Sequence, residues 1–156
     1  MPEIPQLSIR RAQPDDLPAI VRLLADDDLG RLRERLDEPL PPSYVAAFTL
    51  IDTDPRQHLV VVEQAGVIIG TLQLTVLPGL SYQGSLRAQI ESVRVDSRFR
   101  GQGIGQQLMT WAIARAREEG CSVVQLTTHN QREDAHRFYT RLGFVASHIG
   151  MKRVLR

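Results

Sequence analysis

Hydrophobic and polar residues alternate along several short segments of this chain and recur at helical spacing in others. Alternating or continuously apolar runs rich in β-branched residues predict strands at residues 7–10, 58–64, 67–76, 90–95 and 122–128. A final hairpin is predicted from residues 144–148 and 151–155, and residues 80–87 are predicted to be a loop. Apolar positions three or four residues apart predict helices at residues 13–25, 29–36, 43–51, 104–120 and 134–142. The length fits a single domain over residues 1–156.

Composition and charge narrow the classes of function. The chain has 156 residues, a net charge of +1 and a single cysteine, Cys121. This charge balance gives no support for a nucleic-acid or membrane partner, and no apolar run is long enough to span a bilayer. The first residues, MPEIPQLSIR, lack the apolar core of a signal peptide. Because one cysteine excludes an internal disulfide and the histidines form no helical pair, we expect a cytoplasmic protein without a metal site.

The most informative stretch runs from Gln89 to Gly105. A predicted strand ends at Val95, three glycines follow within a few positions, and the longest predicted helix begins there. The first N–H groups of a helix have no internal acceptor, and glycine lets the backbone approach a ligand closely. Together with the helix dipole, this order of elements favours binding of a phosphate or pyrophosphate. Arg98 and Arg100 add positive charge.

Two well-known phosphate-binding motifs do not fit this turn. A P-loop needs Gly-Lys-Ser/Thr, whereas Gly105 is followed by two glutamines, and a dinucleotide fingerprint needs a glycine at position 106. The residues present, Arg100-Gly101-Gln102-Gly103-Ile104-Gly105, resemble the Arg/Gln-x-x-Gly-x-Gly/Ala signature of the GCN5-related N-acetyltransferases. On its own, such a turn is also consistent with a simple connection between a strand and a helix.

A second block strengthens the resemblance. Ala135-His136-Arg137-Phe138-Tyr139, followed by Leu142-Gly143-Phe144, is similar to the Ala-x-x-Phe/Leu-Tyr-x-x-x-Gly-Phe block of the same family. The two blocks occur in the right order, and the resemblance covers nearly the whole chain. Residues 125–148 also resemble the C-terminal region of aminoalkylphosphonate acetyltransferases. One position departs from the pattern: many members have Asn three residues before the alanine, where this chain has Arg132, and Asn130 lies two residues earlier.

The resemblance implies an α/β (α+β) fold with a mixed, mostly antiparallel central sheet flanked by helices. It implies acetyl-CoA as co-substrate, direct transfer in a ternary complex to the amine of a small-molecule acceptor, and a homodimer, since many relatives are dimers. In the family, the strand before the glycine turn separates from its neighbour, and its backbone groups bind the pantetheine arm and the acetyl carbonyl. The coenzyme A contacts that the resemblance and the turn imply are Val93, Arg94, Val95, Arg100, Gly101, Gln102, Gly103, Ile104, Gly105, Gln106, Asn130, Arg132 and Phe138.

Glu91 is the predicted general base. Acetyl transfer requires an unprotonated amine, so some group must accept the proton of the ammonium. On a regular strand, Glu91 shares a face with Val93 and Val95, which places a carboxylate beside apolar side chains. The resemblance also places a glutamate on this strand, often acting through water. The alternative is a structural carboxylate paired with Arg94 or Arg87.

Tyr139 is the predicted general acid. A phenol is a plausible donor of the proton that the leaving thiolate needs, and the resemblance places this tyrosine near the sulfur of the cofactor. The alternative is an aromatic ring that only packs against Phe138 and Phe144.

Two further functions stay open. One is N-acetylation of a protein or peptide, and the other is a non-catalytic coenzyme A-binding module with a regulatory role. The presence of both Glu91 and Tyr139 favours an enzyme. The acidic run Asp26-Asp27-Asp28 suggests an entrance that attracts a cationic amine, whereas its simpler interpretation is surface charge compensated by nearby arginines such as Arg31 and Arg33.

Overall fold

The computed structural model describes residues 7–156, and its centre is a five-stranded sheet. The strands lie side by side in chain order, with three antiparallel pairings followed by one parallel pairing. They are β1 (Ser8–Arg11), β2 (Gln57–Gln64), β3 (Val67–Leu77), β4 (Leu86–Val95) and β5 (Cys121–Leu126). The predicted mixed, mostly antiparallel sheet is confirmed.

Helices cover both faces of this sheet. They are α1 (Leu17–Ala25), α2 (Gly30–Arg33), α3 (Pro42–Asp52), α4 (Ser81–Gly84), α5 (Ile104–Glu118) and α6 (Glu133–Arg141), with 3-10 turns at Pro14–Asp16 and Ser97–Phe99. A parallel pair needs a long crossover connection, and α5 supplies it between β4 and β5. The long helix predicted after the glycine turn is thereby confirmed.

The side chains of β3 alternate between two hydrophobic layers. Leu72 and Leu74 pack with Ile90 of β4 and Leu108 of α5 in the larger cluster. A smaller cluster on the other side joins the sheet to α1 and α3 through Ile20, Phe48 and Val61. Full burial of one such aliphatic side chain contributes about 1.5–3 kcal/mol, so the larger cluster accounts for most of the apolar stabilisation.

Arg10 joins β1 to the start of α1 and to β2. Its Nη1 lies 2.7 Å from Asp16 Oδ2, and its Nε lies 2.7 Å from Glu63 Oε2. The backbone N–H of Gln13 also donates to Asp16 Oδ2 at 2.7 Å. The Arg10 hydrogen bond is the largest cause that lowers the pKa of the Asp16 carboxyl, which is buried.

Two predictions from the sequence are wrong, one for the start of β4 and one for the length of the second helix. Strand β4 begins at Leu86 rather than at residue 90, because residues 87–90 pair with both β3 and β5. The predicted loop at residues 80–87 is therefore mostly replaced by α4, in which Tyr82 and Gln83 have positive φ, and by the start of β4. Helix α2 is only four residues long. The leucines that suggested a longer helix, Leu32 and Leu36, are exposed and pack against no core.

The predicted C-terminal hairpin is also wrong. Residues 144–156 contain no strand, and five large apolar side chains in this segment are 81–92% exposed: Val145, Ile149, Met151, Val154 and Leu155. An alternating pattern forms a strand only where a neighbouring edge supplies hydrogen bonds and an apolar surface. Within the described residues, no edge is paired with this segment, which is called the C-terminal tail below.

Candidate active site

Strands β4 and β5 separate along the second half of β4. Their parallel register ends at the pair Ile90 and Leu126, whereas β4 stays paired with β3 as far as Val95, opposite Gly70. Residues 91–95 therefore have a strand partner on one side only, within the part of the chain that the structure describes. The family resemblance implies that β4 and β5 separate at this point, and the unpaired side of residues 91–95 is called the β4–β5 cleft below.

A β-bulge at Ser92 lies beside this cleft. Gln73 of β3 is opposite Glu91, but Thr71, only two residues before Gln73, is opposite Arg94. Strand β4 thus has one residue more than β3 over this interval, and Ser92 takes up the difference with a φ of 56°. An added residue reverses the alternation of side chains beyond it.

The bulge changes the surroundings of Glu91. Val93 and Val95 pack against the larger hydrophobic cluster, whereas Glu91 shares its face with Arg94. The prediction that Glu91 shares a face with the two valines is therefore wrong, because it assumed a regular strand. Glu91 is exposed, and no arginine among residues 7–156 lies within ion-pair distance of it, so the predicted alternative of a pair with Arg87 or Arg94 is not observed.

Tyr139 lies on α6 in an aromatic group. Its ring centroid is 5.2 Å from that of Phe138 and 6.0 Å from that of Phe144, both in edge-to-face geometry. Burial raises the pKa of the phenol, and the charges of Arg94 and Arg132 oppose this rise. Tyr139 therefore packs as an aromatic residue and also keeps its proton at neutral pH, as a general acid requires.

The glycine turn has the backbone shape that the sequence indicates. Gly101 and Gly103 have φ of 78° and 80°, values that other residues adopt only with strain. The first internal hydrogen bond of α5 runs from Gln107 N to Gly103 O at 3.1 Å, so the N–H groups of residues 104–106 precede the helical hydrogen bonds. Among residues 7–156, no side chain caps this helix start.

Gly105 brings three elements together at the same point. A Cβ atom placed on it would be 3.4 Å from Phe138 Cζ of α6 and 3.8 Å from Val95 Cγ2 of β4. The predicted contacts Val95, Gly105, Ile104 and Phe138 are thus neighbours, and Ile104 is buried in the larger cluster. Gln102 and Gln106 lie exposed on the same turn.

The turn is held by aspartates from two segments. Asp96 accepts a hydrogen bond from Arg98 N at 2.9 Å, and Asp26, at the end of α1, accepts one from Ser97 N at 3.0 Å. Arg100 donates to the carbonyls of Val95 at 3.3 Å and Asp26 at 3.0 Å. These contacts fix the path of the chain, and the Arg100 side chain remains about half exposed.

Arg94 and Arg132 converge on one carboxylate. Arg132 Nη1 lies 2.5 Å from Asp27 Oδ2, and Arg94 Nε lies 4.0 Å from the same oxygen. Asp27 also accepts a hydrogen bond from Gly30 N at 2.5 Å, which shapes the turn into α2. We call Asp27, Arg94, Arg132 and the neighbouring Arg33 the arginine cluster. Asn130 lies exposed in the loop before α6 and is not part of it.

Sequence reasoning missed the role of Asp27. The acidic run was interpreted as a unit, but its members face different partners: Asp26 holds the glycine turn, Asp27 pairs with Arg132, and Asp28 pairs with Arg31. The interpretation as compensated surface charge holds for Asp28. Asp27 and Arg132 are far apart in sequence, so no local signal indicated their contact.

A separate groove of about 200 Å³ lies between β1, β2 and α5, away from Glu91 and Tyr139. It is lined by arginines that are already paired: Arg10 with Asp16, Arg11 with Asp52 and Arg115 with Glu119. Since these charges are neutralised locally, none of the described residues offers a free cation in the groove, and the residues predicted from the sequence to be catalytic do not line it.

Residues 7–156 contain no group of three or more His, Cys, Asp or Glu side chains arranged to hold a metal ion. None of the helices in this part of the chain has the length and apolarity needed to cross a bilayer.

Comparison with known proteins defines the class. The profile of the Acetyltransferase (GNAT) family matches residues 18–144. A sheet whose fourth and fifth strands separate, followed by a glycine turn at a helix start, agrees with this match. The chain belongs to the GNAT family and is an N-acetyltransferase.

Individual relatives cover almost the whole chain. It is 30% identical over 152 residues to the aminoalkylphosphonate N-acetyltransferase of Salmonella typhimurium, covering 97% of this chain and 94% of the relative. It is 29% identical over 156 residues to the glucosamine 6-phosphate N-acetyltransferase of Trypanosoma brucei brucei, covering 97% and 98%. A crystal structure described as a transcriptional regulator from Bacillus halodurans C-125 superimposes with a TM-score of 0.94 at 54% identity, covering 96% of this chain and 100% of that one.

Proposed function

We propose that this enzyme transfers the acetyl group of acetyl-CoA directly to the amine of a small-molecule acceptor, in a ternary complex. The observation that carries the proposal is the cleft between β4 and β5, which has Glu91 on its β4 side and the glycine turn beyond Val95. Tyr139 packs against the same hydrophobic cluster as Val93 and Val95 of β4.

The glycine turn fits the pyrophosphate of coenzyme A. Nothing among the described residues lies within 4 Å of a Cβ built on Gly101 or Gly103, so an anion has open access to the backbone there. The N–H groups of residues 104–106 and the helix dipole supply the attraction. Arg100, Gln102 and Gln106 are exposed around the turn and add polar contacts. Acetyl-CoA supplies the acetyl group and the thiol leaving group.

Residues beside the cleft hold the rest of the co-substrate in this proposal. The backbone groups of Val93 and Val95 lie where β4 has no partner on the β5 side, and Phe138 closes the other wall. In the present structure the carbonyls of the two valines accept hydrogen bonds from Arg94 and Arg100. These arginine side chains rearrange if the pantetheine arm uses the same carbonyls.

Protons move in two places during the proposed reaction. Glu91 accepts the proton of the acceptor ammonium, directly or through water, and the free amine attacks the thioester carbonyl. The C–N bond forms, the C–S bond breaks, and Tyr139 donates its proton to the departing thiolate; the proton that the acetylated nitrogen then loses returns to the Tyr139 oxygen, directly or through water. Because burial raises the pKa of Tyr139, the phenol is protonated when this step needs it.

A small acceptor is favoured over a protein substrate by the relatives. Two relatives that each cover 97% of this chain are named for aminoalkylphosphonate and glucosamine 6-phosphate, both of which are small amines. A regulatory role is the second candidate, because the structure at 54% identity is described as a transcriptional regulator. A module that only binds coenzyme A requires no general base or acid, and the presence of Glu91 and Tyr139 as candidates for these two roles favours the enzyme.

The test is a screen of amines with acetyl-CoA, in which released thiol is followed. Thiol release with a small amine, and its reduction in Glu91→Gln, supports the enzyme. Calorimetric binding of coenzyme A without thiol release for any amine or peptide supports the regulatory module instead. Thiol release with peptides alone identifies a peptide acetyltransferase.

We propose further that the enzyme is a homodimer that covers its C-terminal tail. Five large apolar side chains of the tail are exposed in one copy, together with Val123 on β5, the last strand of the sheet. A second copy provides an identical tail and an identical strand edge, which suits a symmetric contact. Sedimentation of the full chain tests this: a monomer at micromolar concentration contradicts the proposal, and truncation after residue 148 is expected to weaken a dimer.

A further inference from the structure

We infer that the arginine cluster is the subsite for an anionic group on the acceptor, such as a phosphonate, phosphate or carboxylate. The inference rests on the proposed function, because it concerns the molecule that this enzyme acetylates. It assigns Arg94 and Arg132 to the acceptor rather than to coenzyme A.

The charges in the cluster do not balance. Asp27 is one carboxylate, and it is held by Arg132 and by the N–H of Gly30. Arg94 and Arg132, whose side chains are only 16% and 24% exposed, share the single carboxylate of Asp27, so positive charge is in excess at this place. Repulsion from Arg132 and from Arg33 acts on the Arg94 guanidinium.

Arg94 is incompletely bonded. Within residues 7–156 its guanidinium makes one hydrogen bond, from Nη1 to the Val93 carbonyl at 3.0 Å, and its buried Nε has no acceptor. Burial, and then repulsion from Arg132, hold the pKa of Arg94 below its ordinary value. A buried, partly unsatisfied guanidinium is costly, and a planar array of five N–H donors is suited to two oxygens of one oxyanion.

The position of the cluster suits an acceptor better than the cofactor phosphates. Because of the bulge at Ser92, Arg94 lies on the face of β4 opposite to Val95, and Val95 lies beside the glycine turn. Arg94 therefore lies on the α1 side of the sheet, on the same face as Glu91. Arg94 and Arg132 both act electrostatically on Tyr139. An acceptor whose anionic end binds here has its amine near both predicted catalytic residues.

The experiment compares amines of similar length that differ in their anionic group: 2-aminoethylphosphonate, β-alanine and ethylamine. We expect kcat/KM to be highest for an anionic amine. Charge-assisted hydrogen bonds of about 1.5–3 kcal/mol correspond to roughly 10- to 150-fold, so Arg94→Gln and Arg132→Gln are each expected to raise KM for that amine by such a factor. Neither is expected to change KM for ethylamine or acetyl-CoA by more than about twofold. Arg31→Gln, an exposed arginine paired with Asp28, is the matched control.

The outcomes separate this inference from the proposed function. Acetylation of ethylamine as efficiently as of the anionic amines overturns the subsite and leaves the enzyme in place. A raised KM for acetyl-CoA in Arg94→Gln and Arg132→Gln, with an unchanged KM for the acceptor, assigns both arginines to the cofactor and also overturns the subsite. If no amine is acetylated, calorimetry with 2-aminoethylphosphonate still decides the matter: binding lost in both variants supports the subsite, and absence of binding to the folded wild type refutes it. A melting temperature for each variant shows that it is folded.

Discussion

The carboxylate of Glu91 and the guanidinium of Arg94 lie on the same face of β4 although they are three positions apart. A regular strand places such residues on opposite faces, and the bulge at Ser92 is what brings them together. The bulge thus places the predicted base and the proposed anion-binding arginine on one side of the sheet. Val93 and Val95 face the larger hydrophobic cluster on the other side.

The bulge itself is testable at Ser92, whose φ is positive. Ser92→Val introduces a β-branched residue at this conformation, which costs about 1–2 kcal/mol or more, whereas Ser92→Gly tolerates it. We expect Ser92→Val to lower the melting temperature and to reduce kcat, because a regularised strand moves Glu91 away from Arg94. Ser92→Gly is expected to keep both values close to wild type. A Ser92→Val enzyme with wild-type stability and kcat contradicts the role of the bulge.

Glu91→Gln is expected to lower kcat/KM by about 10²–10⁴-fold at neutral pH, the usual effect of removing a general base. The loss is expected to shrink at high pH, where the amine is already free. The pH–rate profile of wild type and variant measures this. Glu118→Gln, at an exposed residue at the end of α5, is the control, and a profile of Glu91→Gln that coincides with wild type removes Glu91 from the mechanism.

Tyr139→Phe keeps the ring and deletes the hydroxyl. We expect lower kcat with unchanged coenzyme A affinity and melting temperature, since the edge-to-face contacts with Phe138 and Phe144 remain. Burial raises the pKa of Tyr139 above the ordinary phenol value of about 10. We therefore expect that loss of the Tyr139 proton does not lower wild-type activity at any pH below that value. Equal kcat in the variant assigns Tyr139 to packing alone.

Gly103→Glu is expected to abolish coenzyme A binding, because a side chain blocks backbone approach and a carboxylate repels phosphate. Gly66→Glu is the matched control: Gly66 has a φ of 78°, close to the 80° of Gly103, and lies in the β2–β3 turn. Both variants carry the same backbone strain and the same added charge. Calorimetry with coenzyme A distinguishes them, and unchanged affinity in folded Gly103→Glu moves the phosphate site elsewhere.

Asp16→Asn is expected to reduce stability by about 1.5–3 kcal/mol at pH 7, because it removes the charge that accepts two hydrogen bonds from Arg10. The pKa of Asp16 is lowered in the folded chain, so its contribution is present above the unfolded value of about 3.9 and is lost as pH falls through the folded value. Urea unfolding at pH 7 and near pH 3 measures the difference. A gap between wild type and variant that is equal at both pH values contradicts this assignment.

Much of the fold was predictable because its signals are local. The β-branched runs of β2 and β3 and the apolar spacing of α5 depend on neighbours in sequence, and so does the glycine turn. The bulge was not predictable, because Ser92 is not a glycine and so does not indicate a positive φ. The bulge depends on the pairing of β4 with β3, which lies elsewhere in the sequence. The Asp27–Arg132 contact joins residues over a hundred positions apart. The C-terminal tail shows the opposite failure, a clear alternating pattern for which one copy of the chain offers no partner.

Two of the aspartates after α1 connect the proposed binding sites of the two substrates. Asp26 holds the glycine turn through Ser97 and Arg100, and its neighbour Asp27 holds Arg132. One short segment thus touches both the proposed cofactor site and the proposed acceptor site. A shift of this segment when one ligand binds is transmitted to the other site, and linkage makes the effect mutual: each ligand changes the affinity of the other by the same factor. We therefore expect steady-state kinetics, with each substrate varied at several levels of the other, to show that each substrate changes the apparent affinity for the other. We expect Asp26→Asn to weaken this mutual effect.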